Sequence, residues 1–235
     1  MNLDEMLDTT TDHKAKKKGL VVGAFFCGGA GAQFGQMVLG SEVLRDQPGV
    51  SHRYVETKCP EGIAPSRCIE LRPDHLPADL SGTFADVVAM TGLTREQYTR
   101  LRLLVTPTGL AQLPFMGHIA AMREIGRITD AIEADMRANA AARGGSQNAV
   151  IMTFASTCGG TGAASSRVVG WAARLAARGS SLPNDARWIH VAITTSVLPD
   201  AVRVRRVRAL EHRHFLETRE LMRPGAELRL PGIRD

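Results

Sequence analysis

Residues 20–26 form an unbroken apolar run, short enough for a strand and suited to burial on both faces of a parallel sheet. Residues 149–155 repeat that character, and 52–58 and 187–194 predict two further strands. Residues 114–143 behave differently. There Ile119, Met122, Ile125, Ile128, Ile132 and Met136 recur at spacings of three and four, the period of one helical face, and Gly144-Gly145 ends the pattern. Helices are also predicted from within 28–35 to about 44, over 163–178 where Gly179 stops the pattern, over 201–221, and at 84–90 and 95–104. Thr106-Pro107-Thr108-Gly109 is a turn signal, 196–200 reads as a loop, and 59–83, rich in Pro, Gly and charge, reads as a long irregular connection. The alternation of strand and helix predicts an α/β fold of three layers, a Rossmann-like parallel sheet with helices on both faces. The order strand, glycine cluster, helix occurs twice, without a repeat of fixed period.

At 235 residues the chain is long enough for one such domain and too short for two ordinary ones. Residues 19–221 are expected to fold together, with 1–18 a flexible basic tail and 222–235 a C-terminal extension. Hydrophobic residues make up 44% and aromatics 5%, so the core must be built mainly from Val, Ile, Leu, Ala and Met. The formal charge of +5 is concentrated in two blocks, Lys14, Lys16, Lys17 and Lys18, then Arg203, Arg205, Arg206, Arg208 and Arg213. Such blocks attract phosphate or nucleic acid, or are simply solvated faces. Cys27, Cys59, Cys68 and Cys158 show no CxxC pair and no zinc-ligand spacing, which fits reduced thiols in a cytoplasmic protein. No apolar stretch approaches the roughly 20 residues of a membrane span, so neither a span nor a signal peptide is read. His212 and His214, two apart on a helix, face different directions and make a poor metal pair. His118 reads as a helix-start or core histidine.

The two glycine clusters are Gly28-Gly29-Ala30-Gly31-Ala32-Gln33-Phe34-Gly35 and Cys158-Gly159-Gly160-Thr161-Gly162. Each lies between an apolar strand and a helix, where free backbone N–H groups and the helix dipole favour phosphate and a side chain would block its approach. The alternative for each is a tight turn that binds nothing. Neither has the lysine of GxxxxGK[ST], which argues against a P-loop enzyme. Gly29, Gly31 and Gly35 give GxGxxxG, one residue longer than the dinucleotide fingerprint, with Glu56 as the acid after the second strand. That leaves an NAD(P)-dependent oxidoreductase open without explaining the second cluster. A basic nucleic-acid-binding adaptor also stays open, although no RRM, zinc-finger or helix-turn-helix signature supports it. Cys27 and Cys158 flank the clusters, either as small packed side chains or as a redox pair.

The second cluster resembles the GGGTG[ST]G signature of tubulin and the bacterial division protein FtsZ. Gly159, Gly160, Thr161 and Gly162 match it, while Cys158, Ala163 and Ala164 depart from it. The first cluster is similar to the tubulin stretch GQCGNQIG at Gly28, Gly31, Gln33 and Gly35. Gly109-Leu110-Ala111-Gln112, leading through Phe115-Met116-Gly117-His118 into a long helix, resembles the family's third nucleotide loop. Residues 196–200 resemble the loop that approaches the ribose, with Asp200 as its contact, and Arg205 or Arg206 resembles an arginine brought near the nucleotide. The resemblance covers roughly 19–221 and lies nearest to divergent bacterial tubulin-like proteins of the cytoskeletal type.

This resemblance implies a tubulin/FtsZ-type nucleotide-binding domain holding GTP or GDP with Mg2+. Its implied contacts are Gly28, Gly29, Ala30, Gly31, Gln33, Gly109, Gln112, Cys158, Gly159, Gly160, Thr161, Gly162, Asp200 and Arg206. The family's acidic loop and second domain are not matched here, and Glu217 and Glu220 lie too early to replace that loop. No catalytic residue is therefore assigned. GTP hydrolysis is expected to be weak, or to depend on self-association or a partner that supplies the acid.

Overall fold

The computed structural model describes residues 19–40, 47–73, 76, 94–106, 109–110, 113–144, 147–179, 182, 186–194 and 201–222. Among the described residues, five parallel strands, β1 (Gly19–Cys27), β2 (Val50–Glu56), β3 (Cys68–Glu70), β4 (Gln147–Ser156) and β5 (Arg187–Ile193), lie in the order β3-β2-β1-β4-β5. The helices are α1 (Gly28–Leu39), α2 (Arg95–Arg102), α3 (Pro114–Arg123), α4 (Ile125–Ala142), α5 (Gly162–Arg178) and α6 (Ala201–Met222). The predicted α/β parallel sheet is thus present. β1 pairs with β4 along its whole length, from Gly19 opposite Gln147 to Cys27 opposite Ala155.

Alternation along β1 builds two cores. Phe26 faces α1 and joins Phe34, Tyr54 and Phe154, with its ring stacked 5.2 Å from that of Phe154. Val21, Phe25 and Cys27 face the other way, into a larger core with Ile119, Ile128, Ile132, Met136, Ile151, Val168 and Ala172. Successive strand residues point to opposite faces, so a fully apolar strand is what two helical layers require.

Three expectations need correction. The segment 59–83 is not wholly irregular, because Cys68–Glu70 pairs with β2 as the edge strand β3, preceded by a 3-10 turn at Pro65–Arg67. The helix over 114–143 is two helices, broken at Glu124, whose φ of −97° and ψ of 8° leave the helical region. The apolar spacing runs across the break, since Met122 and Ile125 both pack on the core. The first helix begins at Gly28 itself and ends at Leu39, so 28–35 is the opening of a helix and not a loop preceding one.

Other boundaries agree closely. Gly144 ends α4 with φ +78°, and Thr106 and Gly109 exchange backbone hydrogen bonds of 2.9 and 3.2 Å across the predicted turn. The helix at 95–104 is found as α2, with a complete capping box of Thr94 and Gln97. The helix expected at 84–90 and the loop at 196–200 lie outside the described residues.

Candidate functional site

After β1 the chain turns outward to β2 and β3, and after β4 it turns the opposite way to β5. The carboxyl ends of β1 and β4 are therefore the switch point of the sheet, where open α/β folds form a ligand crevice. Both strands run directly into helices there, α1 at Gly28 and α5 through the 157–161 turn.

The two glycine clusters meet. Gly28 has φ +70°, and a Cβ on it would lie 2.5 Å from the Gly162 nitrogen. A Cβ on Gly162 would in turn lie 2.6 Å from the Cys27 carbonyl oxygen. From the third helix, a Cβ on Gly117 would fall 2.0 Å from the carbonyl oxygen of Gly160. One on Gly31 would meet the Phe154 carbonyl at 2.4 Å. Side chains are excluded at these positions by protein backbone. Gly29 and Gly159 differ, because the nearest atoms to an added Cβ are Glu56 Oε2 at 3.9 Å and Ser156 Cβ at 3.8 Å. Of the glycines expected to admit a ligand, Gly28, Gly31 and Gly162 thus bring the segments together, as Gly117 does from α3, while Gly29 and Gly159 leave space.

Neither converging helix is capped by a side chain: Cys27 before α1 and Thr161 before α5 make no side-chain cap hydrogen bond. The first N–H groups of α1 and α5 have no acceptor within their own helices. Ser165 is committed elsewhere, since both its amide and its hydroxyl bond to the Thr161 carbonyl, at 2.9 and 2.8 Å.

Glu56, at the end of β2, reaches this region. Its Oε1 accepts from the Thr57 amide at 2.7 Å and the Thr57 hydroxyl at 3.1 Å. Oε2 is buried without a hydrogen-bond partner. Burial pushes the Glu56 carboxyl above its ordinary range, against the two Thr57 hydrogen bonds. Cys27, wholly buried, has its thiol pushed up to about 12 by burial, with the Ser165 hydroxyl opposing and the Glu56 charge adding. Cys158 is half-buried beside the Ser156 hydroxyl at 3.4 Å.

Among the other predicted contacts, Ala30 and Gln33 lie in the first turns of α1, and Thr161 immediately precedes α5. Gly109 closes its turn with Thr106. Gln112 and Asp200 lie outside the described residues. Arg205 and Arg206 lie within α6.

The sequence reading missed Thr157 and Glu211. Thr157 is fully buried, donating its hydroxyl to Glu211 Oε1 at 3.0 Å and its amide to the Ile193 carbonyl at 3.2 Å. It also missed a buried polar chain from α5 to the sheet. Arg167 Nη1 lies 3.0 Å from His214 Nδ1, His214 Nε2 lies 2.8 Å from His190 Nε2, and His190 Nδ1 lies 2.9 Å from Thr153 Oγ1. No local pattern marks these pairs. A polar residue at a helical period of three within 201–221 is the only trace that Glu211 and His214 share an inward face. Among the described residues no cluster of three metal-ligating side chains occurs, and no helix is long and apolar enough to cross a membrane.

No protein-family model matches the chain, and no curated protein matches it. Solved structures that resemble it include a protofilament and a monomeric subunit of TubZ from bacteriophage PhiKZ. They share 12% and 13% identity, with TM-scores of 0.26 and 0.28, over 84% of this chain. The matched regions are 56% and 60% of those chains, so this chain spans less than two thirds of their length. At such values the likeness decides neither family nor function.

Proposed function

We propose that the chain binds a guanine nucleotide, GTP or GDP with Mg2+, with its phosphates against the first turns of α1 and α5. The observation that carries this reading is the meeting of two helix N-termini without side-chain caps at the switch point of a parallel sheet, drawn together by Gly28 and Gly162. Oriented amides and helix dipoles at one place attract an anion. Gly29 and Gly159 leave room for close approach. The choice of guanine follows from the likeness of 159–162 to the tubulin and FtsZ signature. On this reading the protein is a cytoplasmic, tubulin-like nucleotide binder. Its hydrolysis is weak unless a second copy or a partner brings an acid.

The test is a thermal-shift titration against GTP, GDP, ATP and NADPH, each with Mg2+. A ligand that binds only the folded state raises its stability by about 2.7 kcal/mol at a hundred times Kd. Guanine nucleotides are expected to raise Tm while ATP and NADPH do not. Equal shifts with ATP, or no shift with any nucleotide, would refute the assignment.

A dinucleotide reading has one specific observation in its favour. The unpartnered Glu56 Oε2 lies at the end of β2, 3.9 Å from where a Cβ on Gly29 would stand. That is where an acid accepts from a ribose hydroxyl in dinucleotide folds. A Tm rise with NADPH that GTP fails to compete away would select this reading.

A further inference from the structure

Among the described side chains of α6, the buried ones are polar. Glu211, His214 and Thr218, at helical spacings of three and four, turn toward the domain, with His214 and Thr218 buried. His212, Arg213, Phe215 and Leu216 are exposed. By contrast, α4 presents Ile128, Ile132 and Met136 to an apolar core. Glu211 and His214 make polar contacts with different parts of the domain. Glu211 holds the Thr157 hydroxyl, one residue before the Cys158–Gly162 turn. His214 bonds to Arg167 of α5 and His190 of β5. The Thr218 hydroxyl is buried without a hydrogen-bond partner.

Donor chemistry orders the second contact. A guanidinium can only donate, so Nδ1 of His214 accepts from Arg167. His214 then carries its proton on Nε2 and donates to His190 Nε2. His190 carries its own on Nδ1 and donates to Thr153 Oγ1, which also accepts from Trp188 Nε1 at 3.2 Å. Every link has a donor and an acceptor with both imidazoles neutral. Water can replace each partner when the helix lifts away, so such a face detaches more readily than one closed by apolar packing.

We propose that α6 is a polar latch on the 157–162 turn, with Glu211 as a positioning residue acting through Thr157, so that seating of α6 and filling of the turn favour one another. This rests on the reading that the turn receives a phosphate ligand. Coupling of this kind is reciprocal, so the ligand must tighten α6 by the factor by which seated α6 tightens the ligand.

Hydrogen exchange on the full chain tests it, in the wild type, Glu211→Ala, Glu211→Gln and Thr157→Val, without ligand and with Mg·GTP. Without ligand, Glu211→Ala is expected to speed exchange several-fold in both 157–161 and α6, leaving α4 unchanged. Glu211→Gln restores both, because its amide oxygen still accepts from Thr157. Thr157→Val, of nearly the same shape, speeds exchange in α6 although no residue of that helix is altered. It also carries the comparison should Glu211→Ala fail to fold. Mg·GTP slows α6 in the wild type and not in Glu211→Ala. Loosening of α6 alone, or a Tm rise with GTP that leaves α6 exchange unchanged, overturns the latch. If GTP produces no Tm rise, the nucleotide assignment fails, while the ligand-free arm still decides whether α6 and the turn move together.

Discussion

Gly28 and Gly162 meet backbone against backbone, so that a Cβ on Gly28 would stand 2.5 Å from the Gly162 nitrogen. This contact sets the distance between the first turns of α1 and α5. It also separates the structural glycines from those that leave room for a ligand, and substitution distinguishes the two.

Gly28→Ala combines a clash with backbone and a left-handed φ of +70°. It is expected to destabilise the fold by roughly 2–4 kcal/mol. Gly117→Ala, 2.0 Å from the Gly160 carbonyl, belongs with it. Gly29→Ala and Gly159→Ala meet nothing closer than 3.8 Å and are expected to leave stability within about 1 kcal/mol while weakening GTP binding. Urea midpoints and nucleotide titrations of the four variants check the division. Equal loss of stability in all four would show it to be wrong.

Arg53 of β2 and Asp135 of α4 form a two-pronged ion pair, Nε to Oδ2 and Nη2 to Oδ1, both at 2.7 Å. Their side chains are 21% and 14% exposed. Asp135→Ala leaves the guanidinium partly buried with the Ser66 carbonyl at 2.9 Å. It should cost about 1–3 kcal/mol in urea unfolding, more than an exposed pair such as Arg100–Glu96.

Acid should weaken the protein through His118, His190 and His214. Burial pushes His214 down to about 3, with Arg167 and then His190 adding to the shift and the Ala163 backbone opposing it. Burial and Arg167 push His190 to about 4 and His118 to about 3. The unfolded chain protonates these groups near pH 6.5, so below that value it binds more protons than the folded chain. Stability therefore falls as pH drops from about 6.5 towards 4. Tm is expected to decline by several degrees over that window, and His214→Gln to flatten the decline. A Tm constant from pH 7 to 4.5 would contradict the neutral-imidazole chain.

The four thiols should differ in reactivity. Only the thiolate attacks, and burial raises the thiols of both Cys27 and Cys68. Brief iodoacetamide treatment of the native protein is expected to label Cys59 and Cys158, both half-buried, before Cys27 and Cys68. All four should label in urea. Peptide mass mapping reads the outcome, and early labelling of Cys27 would contradict its burial.

Local order along the chain was enough to specify β1, β2, β4, β5 and the helices around them. An apolar run or a helical period is a property of consecutive residues, and burial between two layers imposes it directly. The amino-acid order also marked the glycine clusters at 28–35 and 158–162, because close approach of backbones leaves glycine as the usable residue. Tertiary structure decided the rest. Cys68–Glu70 is too short to show a period and is a strand only because Tyr54, Val55 and Glu56 lie beside it. Glu124 interrupts a continuous apolar spacing where α3 and α4 part. Thr157 meets Glu211 and His190 meets His214 across stretches of chain whose local order carries no sign of the partner. Those contacts form because the sheet has already fixed where α5, β5 and α6 lie, so their specificity comes from position in space and not from neighbours in sequence.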